Sequence, residues 1–303
     1  MNQPIYLDNA ATTVTDEECL SAALGELKDN GFYNPSALYR GGINAKKKID
    51  EARKRLCSFF GSGYDAVFTS CGSEADNMAV FSFARRGNAV TDSGEHSAIN
   101  NSFKELKNHG VETRFASLNK NGSVNVDKLL QLIDEKTTFV SVVHVNNETG
   151  AINDVNAIAA LVKKKNPSVV FHADGVQGFL KIPFKPSKDI DLYSVSAHKI
   201  CALKGTGALV YRKGLHLHPL IIGGGQEGGL RSGTENTFGI SVFEHAMKKF
   251  ADVTANYEKA AKVNARFKQL IAPYVQFISD DGCSPYILSF SAVGVKAEII
   301  QRV

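Results

Sequence analysis

No run of apolar residues in this chain is long enough to cross a bilayer, and Ile5-Tyr6-Leu7, directly after Pro4, has strand character rather than that of a signal-peptide core. Cysteine is scarce. The five present, Cys19, Cys57, Cys71, Cys201 and Cys283, are odd in number and never spaced as CxxC. That argues against a disulfide framework and a zinc site, and makes a reducing cytoplasm the expected compartment. Excess charge is lacking too, with 35 Lys and Arg against 31 Asp and Glu, a formal charge of +4. The longest basic runs, Lys46-Lys47-Lys48 and Lys163-Lys164-Lys165, fall in helical patterns whose opposite face is apolar. They read as solvated faces, so neither a nucleic-acid partner nor a membrane is expected.

What is present is alternation. At 303 residues the chain can bury a large core and is expected to divide into one large domain and a smaller one. Thr15 and Glu18 form a capping-box pattern for a helix over about 16–30, and a second helical pattern covers about 43–60. Strand patterns follow at 65–70, 89–91, 112–115, 139–145, 169–173, 192–195 and 207–211, with helical patterns at about 97–109, 127–135 and 154–166. This predicts an α/β fold, a mostly parallel sheet covered by helices on both faces, with active residues at the strand carboxyl ends. From Thr234 apolar residues recur at spacings of three or four as far as Ile271, predicting one long helix that Pro273 stops. A further strand is expected at 286–290.

The strand pattern 192–195 runs straight into Ser196, His198 and Lys199. A lysine on a rigid strand end, beside hydroxyl and imidazole groups, suits capture of an aldehyde cofactor, although a lysine there is ordinarily a solvated strand end. Upstream, 169–173 ends in Asp174, followed by Gly175 and Gln177. An Asp and a Lys at two strand ends is the arrangement expected of pyridoxal phosphate chemistry, where the carboxylate keeps the pyridine nitrogen protonated. The plain alternative is an Asp that caps a loop. Strand 65–70 leads through Gly72 and Ser73 into a helix, where a hydroxyl and exposed backbone amides make either a phosphate cradle or a simple N-cap. His96 follows another strand and is either a ring that stacks on a cofactor or a loop histidine. Asn147, in Asn146-Asn147-Glu148-Thr149-Gly150, either reaches the cofactor's phenolic oxygen or the substrate, or belongs to an Asn-rich turn. No one of these is specific alone; their joint placement after successive strands is.

The order Tyr6-Leu-Asp-Asn-Ala-Ala-Thr-Thr13, Asn34-Pro-Ser36, Phe68-Thr-Ser70, Glu74-Ala-Asp-Asn77, Glu95-His96, His144-Val-Asn-Asn-Glu148, His172-Ala-Asp174, Gln177, Ser194-Val-Ser-Ala-His-Lys199, Gly223-Gly-Gly225 and Arg231-Ser-Gly-Thr234 spans nearly the whole chain. In these motifs the chain resembles the class V aminotransferase-like family of pyridoxal-phosphate enzymes, and within it the cysteine desulfurases of the NifS and IscS type. The resemblance implies the type I fold of pyridoxal-phosphate-dependent transferases, with a large cofactor domain over 14–253 and a small α+β domain from 1–13 and 254–303. It implies pyridoxal 5'-phosphate as cofactor and L-cysteine as substrate, converted to L-alanine while sulfur passes as a persulfide to an iron–sulfur scaffold or a tRNA-modifying partner. Lys199 would hold the aldehyde, Asp174 would pair with the pyridine nitrogen and His96 would stack on the ring. Gln177 would bond the phenolic oxygen, and Asn147 would sit between cofactor and substrate. Ser73, Ser196 and His198 would hold the phosphate, and Thr234 would reach the phosphate of the partner subunit in a homodimer.

Three departures from the family pattern stand out. Cys71 occupies a position normally given to glycine, which raises the question of a positive φ there and of phosphate affinity. Ala197 replaces a common glycine. In the family, a persulfide-forming cysteine lies on a loop well over a hundred residues after the lysine, with a carboxylate-binding arginine beyond it. Here 104 residues follow Lys199, and Cys201 and Cys283 match neither position. The expectation is a chain without its catalytic-cysteine loop, inactive as it stands, with an incomplete small domain and a poorly buried strand over 287–291. The competing readings are a cofactor-binding or scaffold-like subunit, and a selenocysteine lyase or aminotransferase of the same fold.

Overall fold

The computed structural model describes residues 5–301. Seven strands form one sheet in the order β1 (Tyr64–Thr69), β7 (Gly207–Arg212), β6 (Leu192–Ser196), β5 (Val170–Asp174), β4 (Thr137–Val143), β2 (Asn88–Asp92) and β3 (Glu112–Ala116). Of these, β7 alone runs against its neighbours, pairing antiparallel with β1 and β6. The other six share a direction and therefore end at one edge. Apart from the part-exposed edge strand β3, their residues are buried on both faces, as near-continuous apolar runs require.

Side chains alternate between two cores, as the period of two in a strand dictates. Phe68, Val140, Val142, Phe171, Ala173, Tyr193 and Val195 face helices α1 (Glu17–Glu26), α2 (Arg40–Ser58), α5 (Val126–Gln131), α6 (Val155–Lys165) and α7 (Thr237–Lys249). Val67, Ala89, Phe139, Leu192 and Leu209 face α3 (Gly72–Phe83) and α4 (Ser97–Asn108). On that second face, continuing the alternation past the apolar residues brings Ser141, His172, Asp174, Ser194 and Ser196 to the carboxyl end of the sheet. Beyond α7, α8 (Val253–Ile271), the ribbon of β8 (Gln276–Phe277) and β9 (Phe290–Ser291), and α9 (Ala297–Gln301) complete the described chain.

Four local expectations are corrected. The first helix is capped by Asp16, whose carboxylate accepts the Cys19 N–H at 3.0 Å, while the Thr15 hydroxyl turns to the Ala202 carbonyl. The single long helix is two, separated at Phe250-Ala251-Asp252, because Asp252 caps a new helix by accepting from Ala255 N–H. Ile287 is buried with Val145 and Ile182, and only Phe290 and Ser291 of the expected strand pair with another strand. Lys163 is no solvated face either: its ammonium turns in to the Val169 carbonyl and to Asp191, a fully buried carboxylate that Arg212 also engages. A carboxylate that deep needs such cations, since an unpaired buried charge costs several kcal/mol, on the order of its residual desolvation.

His144 follows β4 and lies buried under the sheet end, its Nδ1 2.7 Å from the Tyr193 hydroxyl and its ring against Phe184. Burial pushes its pKa from 6.5 down to about 4, so the folded chain refuses a proton that the unfolded chain accepts. Its contribution to stability is therefore fully present above pH 6.5 and is lost as pH falls toward about 4. His144→Gln, which can keep the bond to Tyr193, should flatten the dependence of unfolding free energy on pH in that window by up to about 1.4 kcal/mol per pH unit. Denaturant unfolding at a series of pH values checks this, and an unchanged slope would contradict a buried neutral imidazole.

Candidate active site

Loops leaving five strands converge on one cavity of about 530 Å³ at the carboxyl edge of the sheet. Its lining includes Ser73 after β1, His96 after β2, Asn147 after β4, Asp174 and Gln177 after β5, and Ser196, His198 and Lys199 after β6. Thr234 lies elsewhere, exposed in a separate cleft with Thr69, Ser70 and Arg231. Another cavity of about 380 Å³, between α1, α2 and α7, contains none of the candidate residues.

At the floor, Asp174 is 3% exposed and its Oδ1 accepts the Val176 N–H at 2.9 Å. Burial raises its pKa; the Val176 N–H and the nearby His96 and Lys199 pull the other way. Lys199 stands across from it and donates to the carbonyls of Ala10 at 2.5 Å and Ala11 at 2.8 Å. Burial lowers the lysine pKa, against the attraction of Asp174 and Asp8, which enlarges the share of free amine able to attack a carbonyl. Gln177 is fixed at both ends of its amide: Nε2 donates to Ala10 O at 2.7 Å, and Oε1 accepts from the buried Lys181 at 2.9 Å. His198 bonds Thr12 Oγ1 through Nδ1 at 3.1 Å, and partial burial with neighbouring lysines pushes its pKa down to about 4.

The opposite wall is the N-terminus of α3. Cys71 occupies the N-cap in fully extended backbone, φ −170° and ψ 172°, and makes no side-chain cap bond. The concern about positive φ at Cys71 therefore does not arise; any residue adopts that conformation. Close approach falls on Gly72 instead, where a Cβ would stand 2.7 Å from Val176 Cγ2 and 3.3 Å from Ser196 Cβ. Among the described residues, Ser196 Oγ is buried there without a hydrogen-bond partner. Uncapped helix amides, an unsatisfied hydroxyl and a side chain reduced to hydrogen together form a concave donor surface for an anion.

Two ion pairs tie the Gly-rich segment carrying Thr234 to this wall. Glu227, with φ 52°, sends a buried carboxylate to the Arg53 guanidinium at 2.7 and 2.8 Å and to the Phe68 N–H at 2.7 Å. Arg231 meets Glu74 at 3.0 Å, and Glu74 in turn accepts from Ser70 N–H at 2.7 Å, next to the cradle. Sequence reasoning gave no role to Asp76, which lines the cavity, nor to Lys181, Glu227 or Arg53. Asp76 lies three residues after Ser73, almost a full helical turn, and that spacing was the available signal.

The sequence matches the family model described as aminotransferase class-V over residues 5–302. The cysteine desulfurase IscS of Clostridium botulinum is 35% identical over 318 residues, covering 99% of this chain and 78% of that protein. The cysteine desulfurase of Trichormus azollae is 35% identical over 274 residues, covering 88% of this chain and 68% of that protein. Among solved structures, a NifS-like protein superposes with a TM-score of 0.93 at 32% identity, covering 99% of this chain and 85% of the other. The NifS-like protein of Rickettsia africae gives 0.89 at 30% identity, covering 98% and 84%. With the family model matched over residues 5–302 and 35% identity across 99% of the chain, the chain belongs to the class V aminotransferase family.

Proposed function

We propose that this chain is a cysteine desulfurase-type enzyme that holds pyridoxal 5'-phosphate through Lys199 and takes L-cysteine as its substrate. The observation that carries the reading is the cavity in which an amine, a buried carboxylate and a concave anion-binding wall face one another across the ends of five strands. Fit to the cofactor is supported by the Ser196 hydroxyl, unpartnered among the described residues, and by Gly72, whose missing Cβ leaves the wall open. When bound, the cofactor supplies an electron sink for bonds at the substrate α-carbon.

The protein's own groups do the rest. Lys199 would hold the aldehyde through its amine, Asp174 would face the ring nitrogen, Gln177, whose Nε2 donates to Ala10 O here, would serve the phenolic oxygen, and His96 would cover the ring. Ser73, Ser196, neutral His198 and the α3 amides would hold the phosphate, and Asn147 would orient the substrate. Thr234, exposed on a clamped loop, is assigned to the partner's phosphate in a homodimer. The sulfur acceptor is an iron–sulfur scaffold or another sulfur carrier. The division into a cofactor domain over 14–253 and a small domain from 1–13 and 254–303 belongs to the same proposal.

The accepting thiol is not Cys19, Cys57 or Cys283. Burial first, with nearby Asp16, Asp65 and Asp280 respectively, pushes their pKa values up to about 12, 11 and 11, where thiolate is scarce at neutral pH. Peptide mapping after incubation with cofactor and cysteine should find no persulfide on these three. A persulfide on Cys283, with alanine release abolished by Cys283→Ser, would contradict that exclusion. Gly72→Ala should weaken pyridoxal phosphate binding about tenfold or more by pressing on Val176 and Ser196, as measured by titration of protein shown folded by circular dichroism. Unchanged affinity would remove α3 from the phosphate site.

A further inference from the structure

Lys181 has no place in the assignments above, yet its amine lies against a residue that has one. The lysine is 7% exposed and its Nζ donates to Gln177 Oε1 at 2.9 Å. Among the described residues Nζ makes that one hydrogen bond and no ion pair, and the Tyr286 ring centroid lies 5.9 Å from it. Packing alone does not account for a lysine here. A methionine would fill the same space without the cost of drying an amine that finds a single partner. The backbone is bent to bring the side chain in: Lys181 N–H bonds back to Gly178 O at 3.1 Å, and Leu180 before it takes φ 55°, a left-handed conformation that a bulky L-residue adopts only under constraint. Strain of this kind gathers where a side chain has to be aimed.

The amide of Gln177 has one end that accepts and one that donates, and its two partners allow a single orientation. Ala10 O, which can only accept, takes an N–H from Nε2 at 2.7 Å, so Oε1 is the atom that faces Lys181. Nζ carries N–H groups whether or not it is charged, and it supplies the donor that Oε1 needs. Held at Ala10 alone, the amide would be free to pivot about that bond; held at both ends, it is not. Nε2 has a second N–H, and Gln177 lines the cavity that contains Asp174 and Lys199. Tyr286 belongs to a segment that is itself pinned to the loop after Asn147, through Ser284 N–H to Gly150 O at 2.7 Å.

We propose that Lys181 is a positioning residue, whose Nζ fixes Gln177 Oε1 and thereby presents the second Nε2 N–H to an acceptor atom of the ligand in the cavity. Lys181 acts through Gln177. That the acceptor is the phenolic oxygen of pyridoxal phosphate rests on the functional reading above, but the clamp on the amide does not, and it can be measured without cofactor.

Nuclear magnetic relaxation of the Gln177 side-chain amide in the cofactor-free full chain, the signal assigned by its loss in Gln177→Ala, should report a group as rigid as the strands on the picosecond-to-nanosecond scale. In Lys181→Met, which keeps the packing stem and removes the donor, that amide should become mobile while the backbone signals of β5 and β6 hold their positions. A mobile amide in the parent protein, or an equally rigid one in Lys181→Met, would overturn the proposal. A cycle of cofactor affinities is then taken well above pH 7, where Lys181, its pKa pushed down to about 7 by burial and the Lys199 charge, is mostly neutral, so that Lys181→Met removes a donor rather than a charge. Gln177→Ala and Lys181→Met should each weaken pyridoxal phosphate binding by about three- to tenfold. The double variant should bind no more weakly than Gln177→Ala alone, because a residue acting through another adds nothing once that other is gone. Parental affinity in Lys181→Met, or losses that multiply in the double variant, would overturn the proposal, since a lysine that merely packs acts independently of Gln177. No binding by the parent, with the amide behaving as stated, would refute the cofactor reading and leave the clamp supported.

Discussion

The site depends on one carboxylate kept where water does not reach it. Asp174 ends a strand buried on both sides, and burial pushes its pKa up. A backbone N–H from Val176 and the cationic side of the cavity oppose that tendency, and a ring nitrogen bearing a proton would complete the compensation. In water the same pair would be weakly held, because the attraction scales inversely with the local dielectric constant. Burial of the acid is therefore what makes its charge useful.

Holding the acid there constrains its neighbours to small tolerances. Gly175 follows it because a Cβ would enter the Tyr193 ring, and Gly178 because one would meet His144 Nδ1. Tyr193 and His144 then bond each other beneath the loop, so the turn carrying Gln177 rests on a fixed floor. On the opposite side, α3 approaches β6 through Gly72, and Glu74 links that helix start to Arg231. The two ion pairs at Glu227 and Glu74 thus place the Thr234 segment relative to the anion-binding wall while leaving Thr234 itself exposed.

Much of this is legible in the sequence. Continuous apolar runs ending in Asp174 and in Ser196 to Lys199 announce parallel strands and the edge where chemistry collects, and eight of the nine candidate residues do meet there. The break between α7 and α8 was hidden because the apolar spacing keeps its phase across Phe250 to Asp252, and only the capping role of Asp252 reveals it. Lys163 looked solvated because its partner, Asp191, is distant in sequence. That Ser141, His172 and Ser194 bond one another depends on which residue stands opposite which across three strands, and register of that kind is not written in the composition of any single strand.

The central claim is that one particular amine, Lys199, is the group that takes the cofactor's aldehyde. A rival stands close by: Lys181 is buried, and burial with the nearby Lys199 charge pushes its pKa down to about 7, so it also offers a free amine. The direct measurement is borohydride reduction of the protein loaded with pyridoxal phosphate, followed by mass-spectrometric mapping of the modified peptide. The account predicts one pyridoxyl group, on Lys199. A label on Lys181, labels scattered over surface lysines, or no label on a folded protein would contradict it.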